Sequence, residues 1–108
     1  MDSIKDKNLL AIAIDNYELY TSKQKNILKI LVNMAIENIA TVGTAYLMEK
    51  TKLSRPAIYL NLKKFTIEGT INRIRKPGER YNSYELNQKK LDYILQLYKN
   101  KKAMEDKN

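Results

Sequence analysis

The sequence predicts an α+β fold that is mostly helical, and three features support this prediction. Thr21 and Gln24 have the spacing of a capping box, and an amphipathic helix follows them. Two shorter helical segments come next, and the second begins after Ser54, a residue type that favours helix N-caps. Two strand-like segments then flank Pro77 and Gly78, as in a β-hairpin. A chain of 108 residues is large enough for one domain with a modest core.

The first predicted element spans residues 8–20. Its apolar residues favour a helix, although Ile12 and Ile14 alternate with smaller or polar neighbours as they would in a strand. The apolar run that ends at Ile14 is far shorter than the roughly 20 residues that a membrane span needs. Asp15 follows it directly, without the small-residue cleavage context of a signal peptide. We therefore expect a cytoplasmic protein that does not enter a membrane.

The predicted core of the domain occupies residues 21–86 and begins with a helix at residues 22–37. Ile27, Leu31 and Met34 form one apolar stripe on this helix, and further apolar residues widen it. A wide apolar face suits a central helix that is packed on more than one side.

Two shorter helices follow the central one. The first is predicted at residues 44–51, and Lys52 lies in the turn after it. Ser54 caps the second, and Pro56 lies in its first turn, where a missing N–H costs nothing. Gly69 supplies the left-handed residue that ends this helix.

Two strands and a last helix complete the predicted order of elements. The strands, at residues 70–76 and 81–86, are joined by a segment with the proline and glycine of a type II turn: Lys76-Pro77-Gly78-Glu79. Asn87 caps a helix at residues 87–103. Its apolar residues recur at i, i+3, i+4 and i+7, as on one face of a helix: Leu91, Ile94, Leu95 and Tyr98.

The two helices around Lys52 have apolar residues where a helix-turn-helix needs them. Ile58, Leu62 and Phe65 are spaced i, i+4, i+7 and therefore share one face. The predicted contact is completed by Leu47, Met48 and Leu53.

The capped helix and its glycine stop resemble the recognition helix of bacterial winged helix-turn-helix regulators, such as the MarR and ArsR groups. The residues that carry the resemblance are Ser54-Arg55-Pro56-Ala57-Ile58-Tyr59-Leu60-Asn61-Leu62-Lys63-Lys64-Phe65 and Glu68-Gly69. They are also similar to the winged helices of plasmid and phage replication proteins. The resemblance covers roughly residues 21–86 and implies a DNA-binding function.

Two residues depart from the simple helix-turn-helix pattern. Met48 stands where a small residue is usual, and Lys52 stands where glycine is usual. A left-handed conformation at a residue other than glycine costs about 1–2 kcal/mol. Winged helices often have longer turns, so these departures favour that subclass.

The resemblance implies that the start of the second helix enters the major groove of DNA. Arg55 has the donors to bridge O6 and N7 of a guanine, and Ala57 and Leu60 can touch thymine methyl groups. Asn61 suits adenine by its type but lies nearer the buried side. The predicted DNA-binding residues of this helix are Ser54, Arg55, Pro56, Ala57, Tyr59, Leu60, Lys63 and Lys64.

The hairpin carries the second group of predicted DNA-binding residues, namely Arg73, Arg75, Lys76 and Arg80. From Arg55 to Arg80, seven Lys or Arg residues stand against two acidic ones, a net charge of +5. The whole chain has a formal net charge of +8. A wing with such charge can lie on phosphates or reach into the minor groove, so double-stranded DNA is the predicted partner.

The composition argues against catalysis. The chain has no histidine and no cysteine, which removes the commonest general base and the thiolate metal ligands. Its eight tyrosines do not favour a tyrosine nucleophile, because that chemistry needs clustered arginines with histidine or a metal site. We predict a protein that is not an enzyme and needs neither a metal nor another cofactor.

The last helix also predicts a homodimer. Its stripe of Leu91, Ile94, Leu95 and Tyr98 is left over once the core has closed, so a partner chain is expected to cover it. The alternative is that both terminal helices fold back onto their own domain.

The predicted function is sequence-specific DNA binding in transcriptional regulation. Two alternatives stay open. One is a replication or maintenance factor of the plasmid or phage type, and the other is a winged helix that docks onto proteins.

Overall fold

The computed structural model describes residues 6–75, 78 and 81–106. These residues form a mostly helical α+β structure, as predicted. The five helices are α1 (Lys7–Asp15), α2 (Ser22–Met34), α3 (Thr44–Thr51), α4 (Arg55–Glu68) and α5 (Gln88–Asp106). The three strands are β1 (Ile39–Val42), β2 (Ile71–Ile74) and β3 (Asn82–Leu86). Within the described ranges, no helix combines the length and the apolar character needed to cross a bilayer.

The first helix confirms the prediction of a helix over a strand, but it is shorter than residues 8–20. It begins where the Asp6 carboxylate accepts a hydrogen bond from the backbone N–H of Leu9 at 2.9 Å. It ends at Asp15, and the side chain of Asn16 donates to the Ile12 carbonyl at 2.8 Å. An asparagine that satisfies a carboxy-terminal carbonyl in this way favours the end of a helix.

Helix α2 begins with the predicted capping box, in which Thr21 and Gln24 each bond the other's backbone N–H. The helix ends at Met34 instead of residue 37. The reason is a tight turn, because Glu37 and Asn38 both have positive φ, at 50° and 72°. Positive φ at both central residues is the mark of a type I′ turn, which reverses the chain.

This reversal starts a strand that the sequence analysis did not predict. β1 pairs antiparallel with β3, and β3 pairs antiparallel with β2, so β3 is the central strand of the sheet. Ala40 and Val42 of β1 point into the core, whereas Thr41 is exposed. β1 is thus an edge strand of the sheet that contributes two buried apolar residues to the core.

The backbone signals around α4 are confirmed. Ser54 Oγ accepts from the N–H of Ala57 at 3.3 Å, Pro56 lies in the first turn, and Gly69 ends the helix with φ of 88°. Lys52 adopts the left-handed conformation, with φ of 62°. A lysine therefore occupies the position where glycine is usual, and α3 still turns into α4.

The hairpin joins β2 to β3. Gly78 has φ of 80°, which the third position of a type II turn requires. The other residues of the predicted turn, Lys76, Pro77 and Glu79, lie outside the described residues. Arg80 does so too.

The predicted contact between α3 and α4 is confirmed. Leu47, Ile58, Leu62 and Phe65 are buried, and the partly buried Met48 and Leu53 pack against the same core. The burial of one face of α4 fixes which of its residues face the solvent.

Helix α5 corrects the predicted dimer surface. Leu91 and Ile94 are only 1% exposed within a single chain, and Leu95 and Tyr98 are partly buried against the same core. The cover for this stripe is α1, which contacts α5 along its buried face. The alternative that the terminal helices fold back onto their own domain is the arrangement observed. The physical reason is that α1 and α5 each have an apolar face, and packing the two faces together removes both from water.

A polar junction links Tyr20, which lies between α1 and α2, to the end of α4. The Tyr20 hydroxyl and the Thr70 hydroxyl both bond to the Glu68 carboxylate, and the two hydroxyls lie 2.9 Å apart. The Tyr20 ring packs edge-to-face on Phe65, with centroids 5.3 Å apart. Burial, followed by the hydrogen bond to Glu68, raises the pKa of Tyr20 above its ordinary value.

We predict that Tyr20→Phe lowers the free energy of unfolding by about 1–3 kcal/mol at pH 7, because the ring remains while Glu68 loses a buried donor. Urea denaturation measures this, with Tyr93→Phe as a control at a tyrosine that is about half exposed. The raised pKa adds a pH signature. The Tyr20 contribution is complete below about pH 10, the ordinary tyrosine value, and is lost as the pH rises further. Equal losses for both variants would contradict the role of this junction.

Candidate nucleic-acid interface

The packing of α4 sorts its residues into a buried and an exposed face. Ile58, Leu62 and Phe65 face the core. Asn61 is also buried, and its side-chain amide donates to the Ala57 carbonyl at 2.8 Å. The amide is therefore occupied within the helix, and the predicted position of Asn61 nearer the buried side is confirmed.

The predicted DNA-binding residues of α4 lie on the opposite face. Arg55, Tyr59 and Lys63 are spaced four residues apart and form one exposed stripe. A second exposed stripe runs beside it and comprises Pro56, Leu60 and Lys64. Ala57 is half-buried, and the Ser54 hydroxyl is engaged as the helix cap. Seven of the eight predicted residues are thus exposed, and Ser54 also makes the bond that caps the helix.

Arg55 and Tyr59 form a linked pair at the start of this surface. Arg55 Nη1 donates to the Tyr59 hydroxyl at 3.4 Å, a long hydrogen bond between residues one helical turn apart. This contact, followed by one from the Thr44 hydroxyl, lowers the pKa of Tyr59. Thr44 is the first residue of α3. The Tyr59 phenol therefore connects Arg55 at the beginning of α4 with Thr44 at the beginning of α3.

The hairpin brings its own cations to the same region. Arg73 on β2 is exposed and donates from Nη2 to Asn82 Oδ1 on β3 at 2.8 Å. Arg75, which follows β2, is exposed too. The other two cations predicted for the hairpin, Lys76 and Arg80, lie outside the described residues.

A groove of about 470 Å³ separates α4 from the hairpin. Lys63 and Arg73 line it from the two sides. Tyr84, which is almost fully buried, lines it as well, and burial raises the pKa of its phenol. The structure therefore brings together a helix cation and a hairpin cation that are ten positions apart in sequence.

The described cations of this surface have no acidic partners among the described residues. Among the described residues, the ion pairs are Lys29–Asp15, Lys101–Glu18 and Lys102–Glu105. None of these pairs involves the five described cations of α4 and the hairpin, which are Arg55, Lys63, Lys64, Arg73 and Arg75. Glu68 is the one acidic residue of α4, and it bonds to two hydroxyls at the end of the helix. The described part of this surface is thus left with uncompensated positive charge.

Sequence reasoning missed three residues of this site: Thr44, Asn82 and Tyr84. Asn82 and Tyr84 are two positions apart on β3 and so lie on one face of the strand. Their alternation was visible in the sequence. What was not visible was the register that sets Tyr84 opposite Arg73 of β2.

Comparison of the sequence with protein-family models and with curated proteins finds no match. Within the described ranges, no three acidic, histidine or cysteine side chains are grouped so as to hold a metal ion.

The turn that positions α4 offers a direct test of its backbone geometry. We predict that Lys52→Gly raises the free energy of unfolding by about 1 kcal/mol, because glycine adopts the left-handed conformation without strain. Lys50→Gly, two residues earlier inside α3, should lower it by about 1 kcal/mol. Thermal denaturation of both variants measures the difference. A loss of stability in both would show that Lys52 is not in the left-handed region.

Proposed function

We propose that this chain is a winged helix-turn-helix protein that binds double-stranded DNA sequence-specifically and regulates transcription. The observation that supports this most strongly is the positive charge of the described cations on α4 and the hairpin, which have no described acidic partner and lie on both sides of one groove. The arrangement of α2, α3 and α4 with a following hairpin is compatible with a winged helix. The protein acts by binding alone, without catalysis or a cofactor.

In the proposed complex, the exposed face of α4 lies in the major groove. Arg55 and Tyr59 contact base edges. The Tyr59 hydroxyl accepts a hydrogen bond from the Arg55 guanidinium at the start of α4. Lys63 and Lys64 lie further along the helix and bind phosphates, as does Arg73 on the hairpin. Leu60 is about half exposed on the same face and supplies apolar surface for thymine methyl groups.

We also propose that the protein binds DNA as a homodimer, with its surface on the outer side of α5. Tyr93 and Leu97 are 53% and 41% exposed and lie one turn apart there. Leu97 and the largely exposed Leu19 line the same groove between α5 and the segment after α1. Two copies would place two α4 helices one DNA turn, about 34 Å, apart and favour a pseudo-palindromic site.

The first prediction for this function concerns salt. Six or so phosphate contacts should give a log–log slope of affinity against salt of about −5. Fluorescence anisotropy with a labelled duplex, measured from low to moderate salt, gives this slope. A flat titration, or no binding to any duplex pool, would instead favour a winged helix that docks onto proteins.

The second prediction separates base readers from phosphate contacts. Arg55→Ala should cost about 1–3 kcal/mol of affinity for a selected site and much less on random DNA. Lys64→Ala is the matched control, since it removes one exposed cation from the same helix and should weaken both complexes about equally. If Arg55→Ala leaves the ratio of specific to random affinity unchanged, α4 is not the reading helix.

The third prediction concerns the dimer. Leu97→Asp should shift the protein from dimer to monomer without unfolding it, because a charge on the outer side of α5 leaves the core intact. Ile12→Asp, at a similarly exposed apolar residue of α1, should not change the mass. Sedimentation equilibrium at micromolar concentration decides between them. A wild-type monomer that binds one asymmetric half-site would rule the dimer out.

A further inference from the structure

A second cleft, separate from the groove beside α4, lies where α1, α2 and α3 meet. Its volume is about 440 Å³, within the range of small-molecule sites. Asn26, Ile30 and Asn33 recur at i, i+4 and i+7 on α2 and form its floor, where the two asparagines are exposed and Ile30 is half-buried. Side chains of α1 and α3 line its two sides.

Each of the three helices contributes one lysine to this cleft. Lys7 of α1 is fixed, because its ammonium donates to the carbonyls of Asn33 and Ala35 at 2.9 and 2.8 Å. Lys29 of α2 pairs with Asp15 at 2.8 Å. Lys50 of α3 lies 5.5 Å from the centre of the Tyr46 ring and has no carboxylate partner among the described residues.

The charge of the cleft is therefore positive. Asp15 offsets only Lys29, and no carboxylate occurs among the described residues that line the cleft. The ammonium groups of Lys7 and Lys50 have no carboxylate partner among the described residues, and that of Lys7 is held by the Asn33 and Ala35 carbonyls. Such a pair attracts a small anion, and a phosphate monoester with nearly two negative charges matches it.

The other residues that line the cleft can contact a flat ring with polar edges. The Tyr46 ring is 40% exposed, Ile30 is half-buried, and Val32 provides a buried apolar base. In the described part of the chain, the side-chain amides of Asn8, Asn26 and Asn33 make no hydrogen bond to protein. An asparagine amide can donate and accept at once, which is the pairing that an adenine edge offers.

We propose that this cleft binds a nucleoside monophosphate, with the phosphate at Lys50 and Lys7 and the base beside Tyr46. The ring of Tyr46 and the side chain of Ile30 provide the surface for the base. The amides of Asn26 and Asn33 lie on the floor, where they can meet its polar edge. The same chemistry is present in a free nucleotide and in a nucleotide within a DNA strand.

Occupancy of the cleft has a consequence for α4. Tyr46 and Lys50 belong to α3, which leads through Lys52 directly into α4. A ligand that bridges α1 and α3 therefore fixes the position of the helix that precedes the reading helix. This consequence rests on the proposed DNA-binding function, whereas the binding of the nucleotide does not.

Calorimetric titration of the full chain with adenosine 5′-monophosphate tests the site, with adenosine and inorganic phosphate as partial ligands. The monophosphate should bind with one site per chain and at least ten-fold more tightly than either part. Lys50→Gln should weaken it about ten-fold or more. Lys52→Gln removes the same charge two residues further on, outside the cleft lining, and should leave the affinity unchanged.

A second pair of variants tests the floor. Asn26→Asp adds a carboxylate there and should weaken binding of the monophosphate, whereas Asn100→Asp on the exposed part of α5 should not. Equal losses for Lys50→Gln and Lys52→Gln, or no saturation at millimolar ligand, would overturn the site.

Titration with a DNA duplex separates the two sources of the nucleotide. Unchanged duplex affinity in Lys50→Gln, together with loss of the monophosphate, supports the free nucleotide. Loss of duplex binding with no monophosphate binding at all would assign the cleft to the DNA path and overturn the proposal. If the monophosphate binds and no duplex does, the proposed DNA-binding function fails alone.

Discussion

The burial of one face of α4 is the constraint on which the rest of this structure depends. Ile58, Leu62 and Phe65 hold that face against the core, and a helix that buries one side must present the other. The Tyr20 hydroxyl bonds to the last residue of the same helix, so its far end is fixed as well. Rotation of α4 about its axis would therefore expose apolar residues and leave a buried phenol without its partner. The packing of the buried face therefore determines which residues of α4 face the solvent, independently of the function of those residues.

The sheet adds a second fixed element beside that face. Because β3 pairs with both β1 and β2, the hairpin is anchored along one whole side. Arg73 is held by Asn82 across the ladder, and it shares a groove with Lys63 of α4. Two packed elements thus present cations on the two sides of one groove, and none of the described ion pairs involves them. A polyanion with regularly spaced charges complements such a surface better than a single small anion does.

The sequence predicted best where the signals are local. Ser54 and Gly69 bracket α4 correctly, because a cap and a left-handed residue each act within one turn of the chain. The strand β1 was missed because its reversal uses Glu37 and Asn38 instead of glycine. Leu91 and Ile94 were correctly identified as an apolar stripe, yet their cover was assigned to a partner chain. That cover is α1, more than seventy residues away in sequence, and no local pattern encodes such a pairing. The position of Tyr84 in the groove was missed for the same reason. It depends on the pairing of β2 with β3, which places Tyr84 opposite Arg73.

The most direct test of a DNA-binding role for the α4 face is a map of the contact surface. Nitrogen-15-labelled protein can be titrated with a short duplex at low salt while the backbone amide resonances are followed. Binding through this face predicts that the largest shifts fall on residues 54–64 and 73–75, with the outer side of α5 little changed. Shifts concentrated on α1 and α5, with α4 and β2 unaffected, would contradict it.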